Sequence, residues 1–101
     1  MAYGAAADGR FDVVYSHLDF HAFTGASLVA TPTVTTLHGR LDLPDLPRLY
    51  SRFPHMPVIS ISDNQRQPLP QANWLSTVYH GLPENLLKPI PNVEPGYLAF
   101  L

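Results

Sequence analysis

Cysteine is absent from the 101 residues, and lysine occurs once, at Lys88. Without a thiol the chain forms no disulfide, holds no zinc through thiolates and runs no cysteine chemistry. Charge is scarce as well: 14% of residues are Asp, Glu, Lys or Arg, and the formal net charge is −2. Five scattered arginines and one lysine make no basic surface, so no nucleic-acid partner is expected. Long apolar runs are missing too, and none nears the roughly 20 residues of a membrane span. The opening MAYGAAADG has neither the basic start nor the long apolar stretch of a secretory leader. These absences together point to the cytoplasm, or to a domain that faces it.

What the chain does have is apolar residues, 46% of the total, and 11 prolines. That is the composition of a folded chain and not of a disordered one. At this length one modest domain is the upper bound, burying roughly 60–70% of its unfolded surface.

Four short segments rich in Val, Ile, Thr and Tyr read as strands: FDVVYSH (11–17), PTVTTLH (32–38), PVISIS (57–62) and WLSTVYH (74–80). Each carries apolar residues at both parities, the pattern of strands covered on both faces of a parallel sheet. GYLAFL (96–101) has the same character and reads as a fifth. The spacers, of 14, 18, 11 and 15 residues, suit parallel crossovers better than hairpins. The first predicts a short helix with Phe20, Phe23, Ala26 and Leu28 on its apolar side. In the second, Leu46, Leu49, Tyr50 and Phe53 recur at helical spacing, after Asp45 as N-cap and with Pro47 in the first turn. The third opens on Ser62-Asp63, also cap residues, and Pro68 and Pro70 keep its helix short. The fourth allows one helical turn over 84–87 and then runs through Pro89, Pro91 and Pro95 as an extended linker. This βαβα rhythm is that of an open α/β sheet: a partial Rossmann-like parallel sheet of about four strands, with a stray fifth at the C-terminus.

Polar residues gather where these strands end. Ser16-His17-Leu18-Asp19 follows the first, His38-Gly39-Arg40 the second, Ser62-Asp63 with Arg66 a turn later the third, and His80-Gly81 the fourth. In open α/β sheets, ligands bind beyond the carboxyl ends of the strands. The placement therefore suggests a site for a polar or phosphorylated ligand. His38 beside Gly39 reads either as a donor to a sugar hydroxyl, phosphate or developing charge, or as a strand terminus with a turn glycine. His80-Gly81 has the same two readings. Arg66 reads as a phosphate contact or as an ordinary exposed helix arginine. His17, Asp19 and His21 would share one face of a continuing strand and could ligate a metal there. The strand is expected to end at His17, so no metal is expected. No G-x-S-x-G, G-x-G-x-x-G or P-loop pattern occurs.

Taken in order, FDVVYSHLDF, TPTVTTLHGRLD, PVISISDNQR, VYHGL and GYLAFL resemble the family 4 glycosyltransferases of the GT-B fold. The likeness runs over about residues 10–101 and falls on the second half of the N-terminal, acceptor-side domain. The resemblance implies a retaining enzyme that moves a sugar from a nucleotide-sugar donor to a sugar, lipid or small-molecule acceptor, with no metal and no cofactor. It implies that His38 approaches the transferred sugar as the catalytic candidate. Ser62 and Arg66 match an S-x-x-x-R stretch near acceptor or donor phosphate. His80 and Gly81 match the pair before the interdomain linker, and His17 and Asp19 a loop on the acceptor side. Gly39 and Arg40 fall beside His38.

The family's glycine-rich loop, its G-R-x-x-x-E-K stretch and its E-x7-E motif have no counterpart here. The expectation is accordingly a fragment, inactive alone, of a cytoplasmic or inner-membrane-associated enzyme. Its expected layout is a flexible segment 1–10, the partial domain 11–82, a proline-rich linker 83–95 and the first strand of a second domain at 96–101. Self-association is expected through the exposed edge of the strand from Phe11 to His17, giving a homo-oligomer. The alternatives are a non-enzymatic Rossmann-like association module and a small sugar-phosphate or nucleotide-binding protein.

Overall fold

The computed structural model describes residues 2–86, 88, 90–94 and 96. In chain order the elements are α1 (Ala2–Ala7), β1 (Val14–Ser16), α2 (His21–Ala26), β2 (Thr33–Thr36), α3 (Leu46–Arg52), β3 (Val58–Ser60), α4 (Asp63–Arg66) and β4 (Trp74–Thr77). The strands form one sheet in the order β1-β2-β3-β4, with every neighbouring pair parallel. The chain is thus an α/β protein with a partial Rossmann-like sheet. Each strand lies inside one of the four segments singled out above. The proposed fifth strand, 96–101, falls almost wholly outside the described residues.

Register separates the two faces. Val14 pairs with Thr33, Thr35 with Val58, and Val58 with Trp74, so these side chains project from one side. On that side lies the core, built from Phe23 and Ala26 of α2, Leu46 and Tyr50 of α3, Val58 of β3, and Leu37, Leu41, Met56 and Leu69 from the connections. Phe23 is its centre: its ring meets Tyr50 edge-on at 5.4 Å and Phe53 at 5.6 Å. The opposite face carries Tyr15, Val34, Thr36, Ile59 and Ser76, none of which belongs to that core. Tyr15 and Ser76 are exposed, and Val34 and Ile59 are half-buried. Thr36 is buried there, but among the described residues the helices and the core cover the other face. Strands laid down in sequence with like-handed crossovers put every crossover on the same side.

The helices form for the reasons their sequences suggest, with three departures. Ser62 caps α4 by accepting the Gln65 backbone N–H at 3.1 Å. Pro47 sits in the first turn of α3, but Asp45 makes no side-chain cap bond, because its backbone is already helical. Leu28, expected on the apolar side of the first helix, is 81% exposed, since α2 ends at Ala26. Residues 2–7, expected as part of a flexible lead-in, are helical: Ala6 is buried, and the Tyr3 ring packs over Gly25, where a Cβ would lie 2.6 Å from it. At the far end a turn covers 84–86, closed by the Leu86 N–H on the Pro83 carbonyl at 2.9 Å.

One irregularity shapes β4. Val58 pairs with Trp74 but Ile59 with Ser76, so Leu75 is the extra residue of a bulge and lies exposed. Trp74 is held on the core side by its indole N–H, which donates to the Leu69 carbonyl at 2.9 Å.

Truncation at the centre of this core and at its expected rim should differ sharply. Phe23→Ala is expected to cost about 3–5 kcal/mol, the scale of a buried aromatic deletion. Leu28→Ala should stay within about 0.5 kcal/mol of the parent, as exposed substitutions do. Urea denaturation followed by circular dichroism measures both.

Candidate functional site

Parallel pairing brings all four strand ends to one edge, and the segments leaving them carry His17 to Asp19, His38 to Arg40, Ile61 to Ser62, and Tyr79 to Gly81. Three histidines meet there. His17 Nδ1 lies 2.8 Å from His38 Nε2. The two ring planes differ by only 28°, with centroids 5.1 Å apart. That separation matches the bond length plus one ring radius on either side. The rings are therefore joined edge to edge along their planes and are not stacked face on face. His80 lies nearly parallel to His38, at 5.4 Å and 24°.

The loop after β1 is fastened to the end of β2 by Asp19. Its backbone is left-handed, φ 48°, a conformation that Asp tolerates better than most residues. Its Oδ1 accepts the His38 backbone N–H at 3.1 Å. Gly39 lies under the same carboxylate, with Oδ2 at 3.6 Å from where a Cβ would stand. This is ordinary contact, and Gly39 is not among the residues with positive φ. Gly81 likewise has open space around it and no positive φ. Neither glycine therefore needs a left-handed backbone.

Gln65 is the residue that sequence reasoning overlooked. Its Nε2 donates to the Leu37 and Gly39 carbonyls, both at 3.0 Å, and its Oε1 accepts the Ile61 N–H at 2.9 Å. One side chain thereby joins the end of β2 to the turn that starts α4. The signal was present as Ser62-x-x-Gln65, a capping-box spacing. Its glutamine reaches past the cap residue to the N–H before it.

Between the loop after β2 and α4 opens a cleft of about 400 Å³, lined among others by His38, Gly39, Arg40, Ser62, Asn64 and Gln65. A second hollow, of about 330 Å³, lies behind Gly39 and Arg40 and is lined by Asp19, Phe20, Leu41, Leu43, Leu46 and Tyr50. The Tyr50 hydroxyl is buried without a partner, and burial, then the nearby Asp19 charge, pushes its ionisation well above the ordinary range.

Of the nine proposed site residues, His38, Gly39, Arg40 and Ser62 line the cleft. Arg40 is occupied: its Nε and a terminal nitrogen clasp Asp42 at 2.9 and 2.7 Å. This pairing holds Asp42 below its usual range. Arg66 is drawn away. Its guanidinium lies 5.4 Å from the centre of the Trp74 ring, and NH1 reaches Thr77 Oγ1 at 3.4 Å, so it lies along β4. His17 and His80 meet His38 but do not line the cleft, and Gly81 lies beyond them. His21, raised as a third metal ligand, instead opens α2 with its ring 4.2 Å from that of Phe20. Among the described residues, no group of three or more His, Asp or Glu is arranged to hold a metal ion. Nor is any helix there long and apolar enough to cross a membrane.

A further polar cluster ties α4 to β4. Asp63 accepts from Thr77 at 2.7 Å and from the Tyr79 hydroxyl at 3.0 Å. These two bonds, helped by the Arg66 charge, hold the Asp63 carboxyl below its ordinary value.

Compared with known proteins, the chain matches no family model and no curated protein.

This geometry is tested in two ways, the first by a pair of substitutions at the rim. Gln65→Leu strands one N–H and removes a donor from two carbonyls, and should cost about 1–3 kcal/mol, the scale of partly buried unpaired groups. Gly39→Ala should fold as the parent does, with an unchanged denaturation midpoint. The second test concerns acid. Asp63 is held below its unfolded value, so its stabilisation is complete above that value and disappears as pH falls through the folded one. Asp63→Asn should therefore flatten the loss of stability on acidification, measured as denaturation midpoints at a series of pH values. An unaltered slope would mean that the Thr77 and Tyr79 bonds do not favour the charged form.

Proposed function

We propose that the chain supplies the acceptor-facing half of a sugar-transfer site of the GT-B type. In this reading an acceptor lies along the carboxyl edge, and a nucleotide-sugar donor comes from a second domain facing it. His38 donates to the transferred sugar as charge develops, an arrangement that needs no metal. Gly39 and Arg40 border the sugar, and Ser62 faces the acceptor. Arg66 swings from Trp74 to a phosphate when one arrives. The enzyme so formed works in the cytoplasm or at the inner face of a membrane. One observation carries the reading: His38, Gly39, Arg40 and Ser62, from the ends of β2 and β3, border a single polar-edged cleft. Clefts at that edge are where open α/β sheets bind ligands.

The test is titration of the ¹⁵N-labelled chain with UDP- and GDP-sugars and with the matching sugar phosphates. Amide shifts should concentrate at residues 38–42 and 61–66, with Kd about 1 mM or weaker, a binding free energy near −4 kcal/mol. Half a cleft offers no more than that. Silence at those residues up to saturating ligand would overturn the assignment. In an enzyme completed by a donor domain, His38→Ala should lower kcat roughly 10²-fold, the scale of one lost transition-state donor.

A second reading, self-association, is favoured by the sheet edge. Among the described residues β1 pairs only with β2, and Phe11, Val13 and Tyr15, on or just before it, are each more than half exposed. Unpaired strand edges of this kind pair with other chains. Sedimentation at micromolar concentration should give a dimer or larger species, and Val13→Lys should shift it toward monomer. A clean monomer for the unmodified chain would sink the idea.

A further inference from the structure

The face of the sheet away from the core holds two parallel cross-strand pairs of the same pitch. Tyr15 on β1 reaches a residue 21 positions on, with its hydroxyl 2.7 Å from Thr36 Oγ1 on β2. His17 does the same one step higher, reaching His38. The Tyr15 ring also stands edge-on to the His17 ring, centroids 4.5 Å apart at 67°. The tyrosine is thus fixed at its hydroxyl and braces the first imidazole, which meets the second in plane. Beyond the second imidazole lies His80. Two flanking rings and one hydroxyl bond therefore define where the His17–His38 contact sits, so the contact is built from several sides.

We infer that His17 is a positioning residue that ties the tautomer of His38 to its own, so that the two neutral rings share one tautomer. The argument is a matter of proton count. A bond between His17 Nδ1 and His38 Nε2 needs one N–H and one bare nitrogen. If His17 Nδ1 donates, His38 Nε2 is bare, and neutral His38 must carry its proton on Nδ1. Both rings are then Nδ1–H. If His38 Nε2 donates, His17 Nδ1 is bare and its proton sits on Nε2. Both rings are then Nε2–H. A mixed pair sets two N–H groups, or two lone pairs, against each other at 2.8 Å.

The consequence reaches the cleft. Nε2 of His38 is spoken for, which leaves Nδ1 as its remaining ring nitrogen, a donor in the first state and an acceptor in the second. What His38 offers to a ligand is thereby linked to the protonation of His17. Asp19 contributes through the backbone: its carboxylate takes the backbone N–H of His38 and so holds the ring's stem. The link between His17 and His38 stands on the bond alone, and its bearing on sugar transfer rests on the reading above.

The experiment is a long-range ¹H–¹⁵N correlation spectrum of the imidazoles in the full chain, recorded at a pH where the histidines are neutral. His17 and His38 should show the same major tautomer. In His17→Phe, which keeps an aromatic ring beside Tyr15 and removes the nitrogen, His38 should move to the mixed populations of a free imidazole. In His38→Phe, His17 should do likewise, which gives a second route if either variant folds poorly. Amide spectra of each variant report whether the sheet is intact. Unlike tautomers in the parent chain, or a His38 tautomer untouched by loss of the His17 nitrogen in a folded variant, would overturn the inference. The measurement needs no substrate, so it can fail while the sugar-transfer reading stands, and the reverse.

Discussion

Parallel pairing is the constraint from which the other features descend. Two strands that run the same way cannot be joined by a tight turn, so each is followed by a crossover that must find a surface to cover. With the strands laid in chain order, that surface is the same for every crossover. Phe23, Leu46, Tyr50 and Leu69 therefore converge on one side, while Tyr15, Val34 and Ile59 are left on the other. The same constraint delivers every strand's carboxyl end to a single edge. His17, His38 and His80 are far apart in sequence, and the shared edge makes them neighbours.

Gathering residues at an edge does not hold them there, and here the fastening is polar. Asp19 ties the end of β2 to the loop before α2, and Gln65 ties it to the turn before α4. Asp63 with Thr77 and Tyr79 ties that same turn region to β4. Each bond joins a side-chain carboxylate or amide to a backbone group or a hydroxyl. That suits an exposed rim, where long paired side chains give little net stability. The core supplies the platform, and these few bonds give the rim its shape.

Strands and helices were legible because their signals are local. Thr33–Thr36 and Val58–Ser60 announce themselves by β-branched residues, and α3 by apolar residues at helical spacing followed by buried Leu46 and Tyr50. The convergence of strand ends was legible for the same reason, once the strands were taken as parallel. Partner choice was harder. Gln65 finds the carbonyls of residues 37 and 39, and no pattern near residue 65 names acceptors so distant in sequence. The local sequence leaves Arg66 open as a phosphate contact or an ordinary helix arginine, and its partner, the Trp74 ring, comes from the next strand. Leu28 was read as core, though two further residues of helix would have been needed to turn it inward. The dense apolar content of the strands suggested two covered faces. Composition reports how much surface seeks cover, not which side the chain can reach.

Asp19 combines two demands that are usually met by different residues. Its backbone needs a type that accepts the left-handed region, and its side chain must be short enough to reach the N–H of His38. Glycine satisfies the first and forfeits the second. Glutamate keeps the charge but overshoots, and a β-branched residue is refused by the backbone outright. Only asparagine preserves both the turn and an acceptor oxygen, at the cost of the charge. The variation open to this loop over evolutionary time is therefore close to a single substitution.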